Sequence, residues 1–501
     1  MRNPRRIRQA ALVTAFFLAL GPALLPAQSL EEKVTAHTLK NGLTVLFAER
    51  HGAPVFSTLY GFKVGSVDEH PGITGTAHLF EHMAFKGTPR IGTKDYGKEK
   101  VLMDRIAEVG REWSLELAKG DLADKDKVAG LRAELTRLEN EQSAFIVKDE
   151  IDLIYSNAGG VGLNAGTGTD QTMYMISLPA NRFELFCLME SERIRNAVLR
   201  EFYIERSVVQ EERKQTTDAV PARLLGEMFM GAAFIAHPYK NPVVGWASDI
   251  DSVTLEEAQA FKRKYYTPNN CVLAIVGDVH PQKAIPVVEK YFGDIPRGPD
   301  PPVFRTVEPR QLGERRVRFE FDAEPQLMMG FHKPTFPSKE DAAAAVLAYI
   351  LTTGRTSRMY KDIIQDRQLA VSVSAGSTPG VRFPNLFVFS AAPRSPHTPE
   401  EVEAAILEHI EKVKTEPVTE RELRKVKNNL DAQFIRSMSS NFGIAIQLIR
   451  YQLLSGDWKL FQKYRELIAA VTADDLMDFA KTYLTTENRT VAYLVKKAKA
   501  S

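Results

Sequence analysis

Apolar residues recur at helical spacing in the segment between residues 93 and 150. They step by four, three and four positions over Leu102–Trp113, and by alternating four and three over Leu131–Phe145. A polar turn near Gly120-Asp121 separates the two runs. The pattern predicts two amphipathic helices that pair as a helical hairpin.

The chain also contains an internal repeat. Val253–Val276 and Val471–Leu494 align without a gap at an offset of 218 residues, and each copy reads as a Thr-capped helix followed by a turn and an apolar strand. The repeat predicts two homologous α/β domains. Strand runs such as Leu43–Arg50 and Val55–Val64 follow one another as in a hairpin. We therefore expect an α+β fold in which each domain has a mostly antiparallel sheet with helices packed on one face.

Length and proline content set the expected domain boundaries. About 470 residues after the N-terminal leader are too many for a single core. Residues 296–304 form a proline-rich run that is typical of a linker. The first domain is therefore predicted to span residues 28–295 and the second domain residues 305–501.

Residues 1–27 have the features of a secretory signal peptide. Four arginines precede the apolar run Ala10–Leu20, and a cut after Ala27 fits the sequence. An uncleaved membrane anchor is the alternative. No later apolar stretch is long enough to cross a bilayer. We expect an exported protein that resides in the periplasm, with the extracellular space as the alternative location. We expect no stable membrane span after cleavage.

The net charge bears on the partners of the protein, and the cysteine content bears on its disulfides. Removing residues 1–27 takes away four arginines and changes the formal net charge from +2 to −2. This near-neutral balance gives no reason to expect nucleic acid or an anionic membrane as a partner. Cys187 and Cys271 lie in apolar runs, so we expect buried free thiols, with a single disulfide as the alternative.

His78, Glu81 and His82 form the most specific chemical pattern in the chain. On a helix, imidazoles four positions apart point only about 40° from each other, and Glu81 lies about 60° to the other side. Two neutral imidazoles on adjacent turns can bind one Zn²⁺, and a carboxylate beside them can accept a proton from water. The order H-x-x-E-H is that of one class of zinc peptidase. A pair of solvated or core-satisfied histidines is the alternative.

A third zinc ligand is expected from Phe202–Val220, which lacks Gly and Pro and reads as a helix. Glu205 and Glu212 are seven positions apart and face the same way within about 20°, whereas Glu211 points about 100° away from Glu212. We therefore predict that Glu212 is the ligand and that Glu205 orients the site. For Glu205, a solvated helix face is the alternative.

The run Gly75–Thr88, together with the helix just described, resembles the pitrilysin/insulinase family of zinc metallopeptidases, in particular its bacterial branch akin to mitochondrial processing peptidase. The resemblance covers nearly all of the chain after the leader. It implies that His78, His82 and Glu212 bind one Zn²⁺ per chain and that Glu81 is the general base. The 130 positions from His82 to Glu212 exceed the family's usual spacing, and the helical hairpin accounts for the excess as an insertion of about residues 93–150.

The same resemblance extends to a third segment. Asn164–Thr167 is similar to the family's strand that pairs with the substrate, which implies that Asn164 and Ala165 bind peptide backbone. A turn following Gly159-Gly160 is the alternative for Asn164.

The function implied by the resemblance is a zinc-dependent endopeptidase that hydrolyses peptides or unfolded polypeptide segments. The alternative is a non-catalytic scaffold or assembly subunit of the same fold. The second domain should bind no metal, because its counterpart of the zinc helix, Ala342–Ile350, is apolar throughout. Family members enclose the substrate between four such domains, so we expect a homodimer or a heterodimer with a related chain. Val371 stands where many relatives have Tyr.

Overall fold

The strands of this protein form two separate sheets, one in each half of the chain. The computed structural model describes residues 30–497, so the predicted signal peptide of residues 1–27 lies outside the described range. The strands are β1 (Val34–Thr38), β2 (Thr44–Glu49), β3 (Val55–Phe62), β4 (Val161–Thr167), β5 (Thr172–Pro179), β6 (Cys271–Gly277), β7 (Arg315–Phe321), β8 (Gln326–Lys333), β9 (Ala370–Thr378), β10 (Asn385–Pro393) and β11 (Arg489–Lys496). The helices are α1 (Leu30–Lys33), α2 (Thr76–Met83), α3 (Tyr96–Leu117), α4 (Lys125–Ser143), α5 (Glu150–Asn157), α6 (Phe183–Asn196), α7 (Phe202–Arg213), α8 (Pro221–Ala233), α9 (Ala247–Ser252), α10 (Leu255–Tyr265), α11 (Pro281–Phe292), α12 (Lys339–Thr352), α13 (Pro399–Thr415), α14 (Glu420–Ser437), α15 (Asn441–Ser455), α16 (Leu460–Ala470) and α17 (Ala473–Tyr483).

The five strands of the second sheet have the same topology as five of the six strands of the first sheet, in which β1 is an additional edge strand. The first has the order β1-β2-β6-β3-β5-β4, and the second has the order β7-β11-β8-β10-β9. The parallel pair β2–β6 corresponds to the parallel pair β7–β11, and the other neighbours are antiparallel. The repeated segments form α10–β6 and α17–β11, and each helix begins with a threonine capping box, at Thr254 and Thr472. The predicted α+β class with two similar halves is confirmed.

Each sheet is covered on both faces, and one of the two covers comes from the other half of the chain. Helix α15, in the second half, packs on β3 and β6 of the first sheet. Helix α8, in the first half, packs on β7, β8 and β11 of the second sheet. Helices of the same half cover the opposite faces. The prediction of helices on one face therefore agrees with the helices that each half packs on its own sheet. It does not include the helix from the other half on the opposite face.

A glycine admits the exchanged helix at an equivalent point of each sheet. Gly61 of β3 faces Val272 of β6, and a β-carbon added at Gly61 would lie 2.6 Å from Leu453 of α15. Gly330 of β8 faces Thr490 of β11, and a β-carbon there would lie 2.6 Å from Phe229 of α8. Since Val272 and Thr490 are themselves 218 positions apart, the two glycines occupy matching positions of the repeat.

The predicted helical hairpin is present as α3 and α4, which pack against each other. The connection from α12 to β9 in the second half spans residues 353–369, whereas the connection from α2 to β4 in the first half spans residues 84–160. The hairpin accounts for the greater length of the first connection. The buried Glu99 of α3 anchors the hairpin, because it accepts hydrogen bonds from Gln142 of α4 and from Arg200, which lies in the loop between α6 and α7.

Two further expectations concern the cysteines and the membrane. Cys187 and Cys271 are both free and buried, so the alternative of a disulfide between them is not realised. Burial raises the pKa of both thiols. Over the described range, 30–497, none of the helices has both the length and the apolar character that crossing a bilayer requires.

The glycine contacts yield a test of the helix exchange. We expect Gly61→Val to destabilise the protein by about 1–3 kcal/mol, because the added methyl groups overlap α15. Gly376→Val, on edge strand β9, is the matched control, since a β-carbon there meets no atom within 4 Å. Thermal unfolding monitored by circular dichroism measures both variants, and equal unfolding temperatures would contradict close packing of α15 at Gly61.

Candidate metal centre

Helix α2 carries the H-x-x-E-H pattern, and a residue from outside the helix caps its first turn. Gly75, at φ 87°, precedes the helix in a conformation that favours glycine. The backbone amides of Gly75 and Ala77 donate to the two carboxylate oxygens of Glu69 at 2.8 and 2.7 Å. Glu69 is buried, and this burial raises its pKa. The cap fixes the start of α2 and thereby the directions in which its histidines point.

The structure brings His78, His82 and Glu212 together. His78 Nε2 lies 3.6 Å from Glu212 Oε1, and His82 Nε2 lies 3.4 Å from Glu212 Oε2. One nitrogen or oxygen atom from each of the three residues falls within 4.8 Å of the others. The neighbouring Glu211 is exposed and pairs with Lys214 at 3.2 Å, so it faces away from this cluster.

These three residues fit a zinc ion. A tetrahedral Zn²⁺ with bonds of about 2.1 Å holds its ligand atoms about 3.4 Å apart. The Glu212 carboxylate offers one oxygen to each histidine at a separation of that size, 3.6 Å from Oε1 to His78 Nε2 and 3.4 Å from Oε2 to His82 Nε2. Two imidazoles and one carboxylate leave the fourth position of the ion open, which is typical of catalytic rather than structural zinc sites.

Glu205 lies behind His82, on the side away from Glu212. His82 Nδ1 donates to Glu205 Oε2 at 3.3 Å, and Lys86 Nζ lies 2.5 Å from Glu205 Oε1. Lys86 also donates to Glu201 at 3.2 Å. Glu205 is buried rather than solvated, so it holds the ring of His82 with Nε2 directed at Glu212.

Burial and charge set the protonation of these groups. Burial, with the neighbouring His82, lowers the pKa of His78 to about 4, which keeps His78 neutral as a metal ligand must be. Burial acts to lower the pKa of His82 as well, but the hydrogen bond and the negative charge of Glu205 outweigh it and raise that pKa. Burial opposes ionisation of Glu205, yet the hydrogen bonds from His82 and Lys86 lower its pKa overall.

Glu81 lines the same cavity as His78 and Glu212. Burial raises the pKa of Glu81, and contacts with the hydroxyl and backbone of Thr167 limit the rise. A carboxylate in this setting holds a proton more readily than one in water. The α2 helix therefore presents one titratable group beside the three potential metal ligands.

The predicted peptide-binding segment forms an edge strand. Asn164 and Ala165 lie in β4, opposite Met175 and Tyr174 of β5, and the other edge of β4 is unpaired among the described strands. Asn164 is therefore in a strand and not in a turn. The cavity wall near Glu81 is made by the next residues of β4, Gly166 and Thr167, rather than by Asn164 or Ala165 themselves.

The cavity has a volume of about 710 Å³ and lies between the halves of the chain. Its first wall carries His78, Glu81 and Glu212, and Met328 and Pro379 of the second half contribute to the opposite wall. The second half offers no counterpart of the zinc helix here, since α12 is filled with buried alanine and aliphatic side chains.

Polar contacts beside this cavity join the second half to the first. The sequence gives no means to predict them. Asp170 accepts from the backbone amides of Val381 and Arg382 at 2.6 and 3.1 Å, and from the Tyr239 hydroxyl at 2.9 Å. Arg382 donates to Asp68 at 2.8 Å. These residues lie in loops far apart in sequence, and no local pattern marks them.

Comparison with known proteins agrees with this arrangement. The sequence model described as insulinase (peptidase family M16) matches residues 45–103, and the one described as peptidase M16 inactive domain matches residues 252–430. The chain is 27% identical over 496 residues to zinc protease PqqE of Helicobacter pylori, covering 97% of this chain and 98% of that protein.

Solved structures are similar over the same extent. A protease from Helicobacter pylori superposes with a TM-score of 0.77 at 26% identity, covering 92% of this chain and 99% of that one. The periplasmic protease PqqL from Escherichia coli shares the fold, with a TM-score of 0.68 at 16% identity, covering 94% of this chain and 48% of that one. The chain belongs to the insulinase family of peptidases, family M16.

The two adjacent glutamates of α7 test the ligand assignment. Glu212→Ala should lower the zinc affinity of this centre by more than the roughly 10–100-fold that loss of an outer-shell partner costs, and the loss of affinity in Glu205→Ala should fall within that range. Glu211→Ala is the matched control and should keep the wild-type zinc content. Metal analysis after dialysis measures all three variants, and equal losses for Glu211→Ala and Glu212→Ala would contradict the assignment.

Proposed function

We propose that this chain is a zinc-dependent endopeptidase that hydrolyses peptides or unfolded polypeptide segments. The observation that carries the proposal is the approach of His78 Nε2 and His82 Nε2 to the Glu212 carboxylate, with Glu81 in the same cavity. These three residues would hold a Zn²⁺ ion, which when bound would supply Lewis-acid chemistry for the carbonyl group and lower the pKa of a water molecule to near neutral pH.

Glu81 acts as the general base. Its carboxylate takes a proton from the attacking water and passes it to the nitrogen of the leaving amine. The raised pKa of Glu81 suits the second step, because the protonated carboxyl must persist until the peptide bond breaks. Glu205 and Lys86 serve a different purpose, which is to keep the His82 ring oriented while the base moves its proton.

The substrate binds as an added strand along β4. The unpaired edge of β4 offers backbone hydrogen bonds to an extended peptide with little demand on its side chains. Asn164 and Ala165 bind the peptide ahead of Gly166 and Thr167, which lie beside Glu81. A cleft of about 710 Å³ accommodates an extended segment but not a folded domain, which is why the proposed substrates are unfolded.

The mature chain functions as a dimer in the periplasm. The match to 48% of PqqL supports pairing, since this chain then corresponds to one half of a longer clamshell. The second chain is either another copy or a relative without the zinc motif, and it encloses the peptide from the other side. Export rests on the signal-peptide features of residues 1–27, and PqqL itself is described as periplasmic.

The role of Glu81 is testable by one substitution. Glu81→Gln should reduce peptide hydrolysis by about 10²–10⁴-fold, the usual contribution of a general base, and should leave zinc content unchanged because Glu81 is not a ligand. Cleavage of an unstructured fluorogenic peptide and metal analysis measure the two effects. Glu211→Gln controls for a change of charge on the neighbouring helix.

Either of two outcomes would contradict this proposal. Retention of most of the rate by Glu81→Gln would remove Glu81 from the chemistry. A wild-type protein that binds zinc and cleaves no unfolded polypeptide, alone or with a related chain, would favour the alternative of a non-catalytic assembly subunit.

Pairing is tested by dilution. If a second chain completes the cleft, the specific activity should fall as the protein is diluted through the dissociation constant of the dimer, and added partner should restore it. Light scattering and peptide hydrolysis over the same concentration series make the comparison. A monomer with full activity at every dilution would exclude the dimer.

A further inference from the structure

A second group of metal-ligating side chains lies away from the H-x-x-E-H helix, where β2 and β6 end. Glu49 is the last residue of β2, and His51 follows it in the turn to β3. Asp278 and His280 come directly after β6. Because β2 and β6 are parallel and Glu49 lies opposite Gly277, these four side chains emerge at the same edge of the sheet.

The ligand atoms of this group are close together. His51 Nε2 lies 3.1 Å from Glu49 Oε2, and His280 Nδ1 lies 4.0 Å from the same oxygen. The two imidazole rings stack with centroids 4.5 Å apart. One ligand atom from each of Glu49, His51 and His280 falls within 4.8 Å of the others, as in the first cluster.

Asp278 orients His51 in the way that Glu205 orients His82. His51 Nδ1 donates to Asp278 Oδ1 at 2.7 Å, which leaves Nε2 directed at Glu49. A carboxylate on the far nitrogen of a histidine is the usual outer-shell partner of a metal-bound imidazole. The second cluster therefore has the same parts as the first, namely two histidines, one carboxylate ligand and one orienting carboxylate.

A hydrogen bond holds the backbone beneath this cluster, and within residues 30–497 neither Glu49 nor Asp278 forms an ion pair with a lysine or arginine. The Arg50 amide donates to the Gly277 carbonyl at 2.8 Å, which holds the turn against the end of β6. The Arg50 guanidinium turns away to Asn441 and Ser439 of the second half. Over residues 30–497, the ion pairs of Glu49 involve His51 and His280 and no lysine or arginine.

We propose that Glu49, His51 and His280 form a second metal site, for a divalent transition ion such as Zn²⁺, with Asp278 as the orienting group. Imidazole and carboxylate together suit Zn²⁺ and its transition-metal neighbours, whereas Mg²⁺ and Ca²⁺ prefer sites made of oxygen alone. The four side chains are between 30 and 52% exposed, so an ion enters without any opening of the fold.

The position of this site gives it a structural role. An ion there joins the turn after β2 to the loop before α11, next to the point where Arg50 contacts the segment leading into α15. Since α15 is the helix that the second half places on the first sheet, occupancy of the site stabilises the contact between the halves and leaves peptide hydrolysis unchanged.

Zinc titration of the full chain, followed by native mass spectrometry, tests the site. The Glu212→Ala protein, which lacks a ligand of the first cluster, should still bind one zinc ion per chain, and adding His280→Ala should abolish that binding. His37→Ala is the matched control, since His37 pairs with the carboxylate of Glu289 at 3.0 Å and belongs to neither group of potential ligands among residues 30–497. Mg²⁺ should not replace zinc in any of these proteins.

Thermal unfolding gives a second readout. Added zinc should raise the unfolding temperature of Glu212→Ala, and His280→Ala should remove this increase. If Glu212→Ala binds no zinc, or if His280→Ala and His37→Ala titrate alike in that background, the second site does not exist. Because the first cluster is disabled throughout, neither result depends on whether the chain is a peptidase.

Discussion

Neither sheet of this protein can leave one of its faces in water, and the rest of the structure depends on that constraint. Strand β6 is buried along its whole length, so the first sheet needs apolar cover on both sides. Its own half covers one side, and α15 from the second half covers the other. Helix α8 does the same for the second sheet. The two halves are thus held together by burial of apolar surface, which is the dominant favourable term in folding.

The same packing fixes the position of Glu212 through one continuous stretch of chain. Helix α7, which carries Glu205 and Glu212, leads through Lys214–Asp218 into α8. Arg213 ties the two helices together, since its guanidinium donates to Glu227 of α8 and to the Gly245 carbonyl at 2.8 and 2.7 Å. The helix that presents Glu212 to the histidines is therefore anchored by the helix that docks on the opposite sheet.

Local patterns in the sequence are sufficient to place the residues of the metal cluster. His78, Glu81 and His82 share one face of a helix. Glu205 and Glu212 also share a face, because they are seven positions apart on a helix. The repeat likewise predicts the two similar sheets, because a helix and strand recur with the same capping residue.

Tertiary contacts without local periodicity were beyond such prediction. The Glu69 cap comes from a loop that precedes α2, and no short motif links it to the helix. The cover of each sheet by a helix of the other half cannot be predicted, because an apolar helix does not reveal which sheet it covers. Gly61 and Gly330 are informative only after the strands are aligned with their neighbours, since a single glycine within a strand is equally typical of a bulge or a tight bend.

The reciprocal placement of α8 and α15 makes the contact between the halves isologous. Equivalent helices lie on equivalent sheets, as they do between the subunits of a twofold-symmetric dimer. The linker at residues 296–304 contributes Phe304 to the apolar cluster around α8. It keeps two mutually complementary surfaces at a high effective concentration, so that an association of two bodies becomes a step within one molecule. In that sense the chain is an internal dimer in which one half carries His78, His82 and Glu212 and the other half has no counterpart of them in α12.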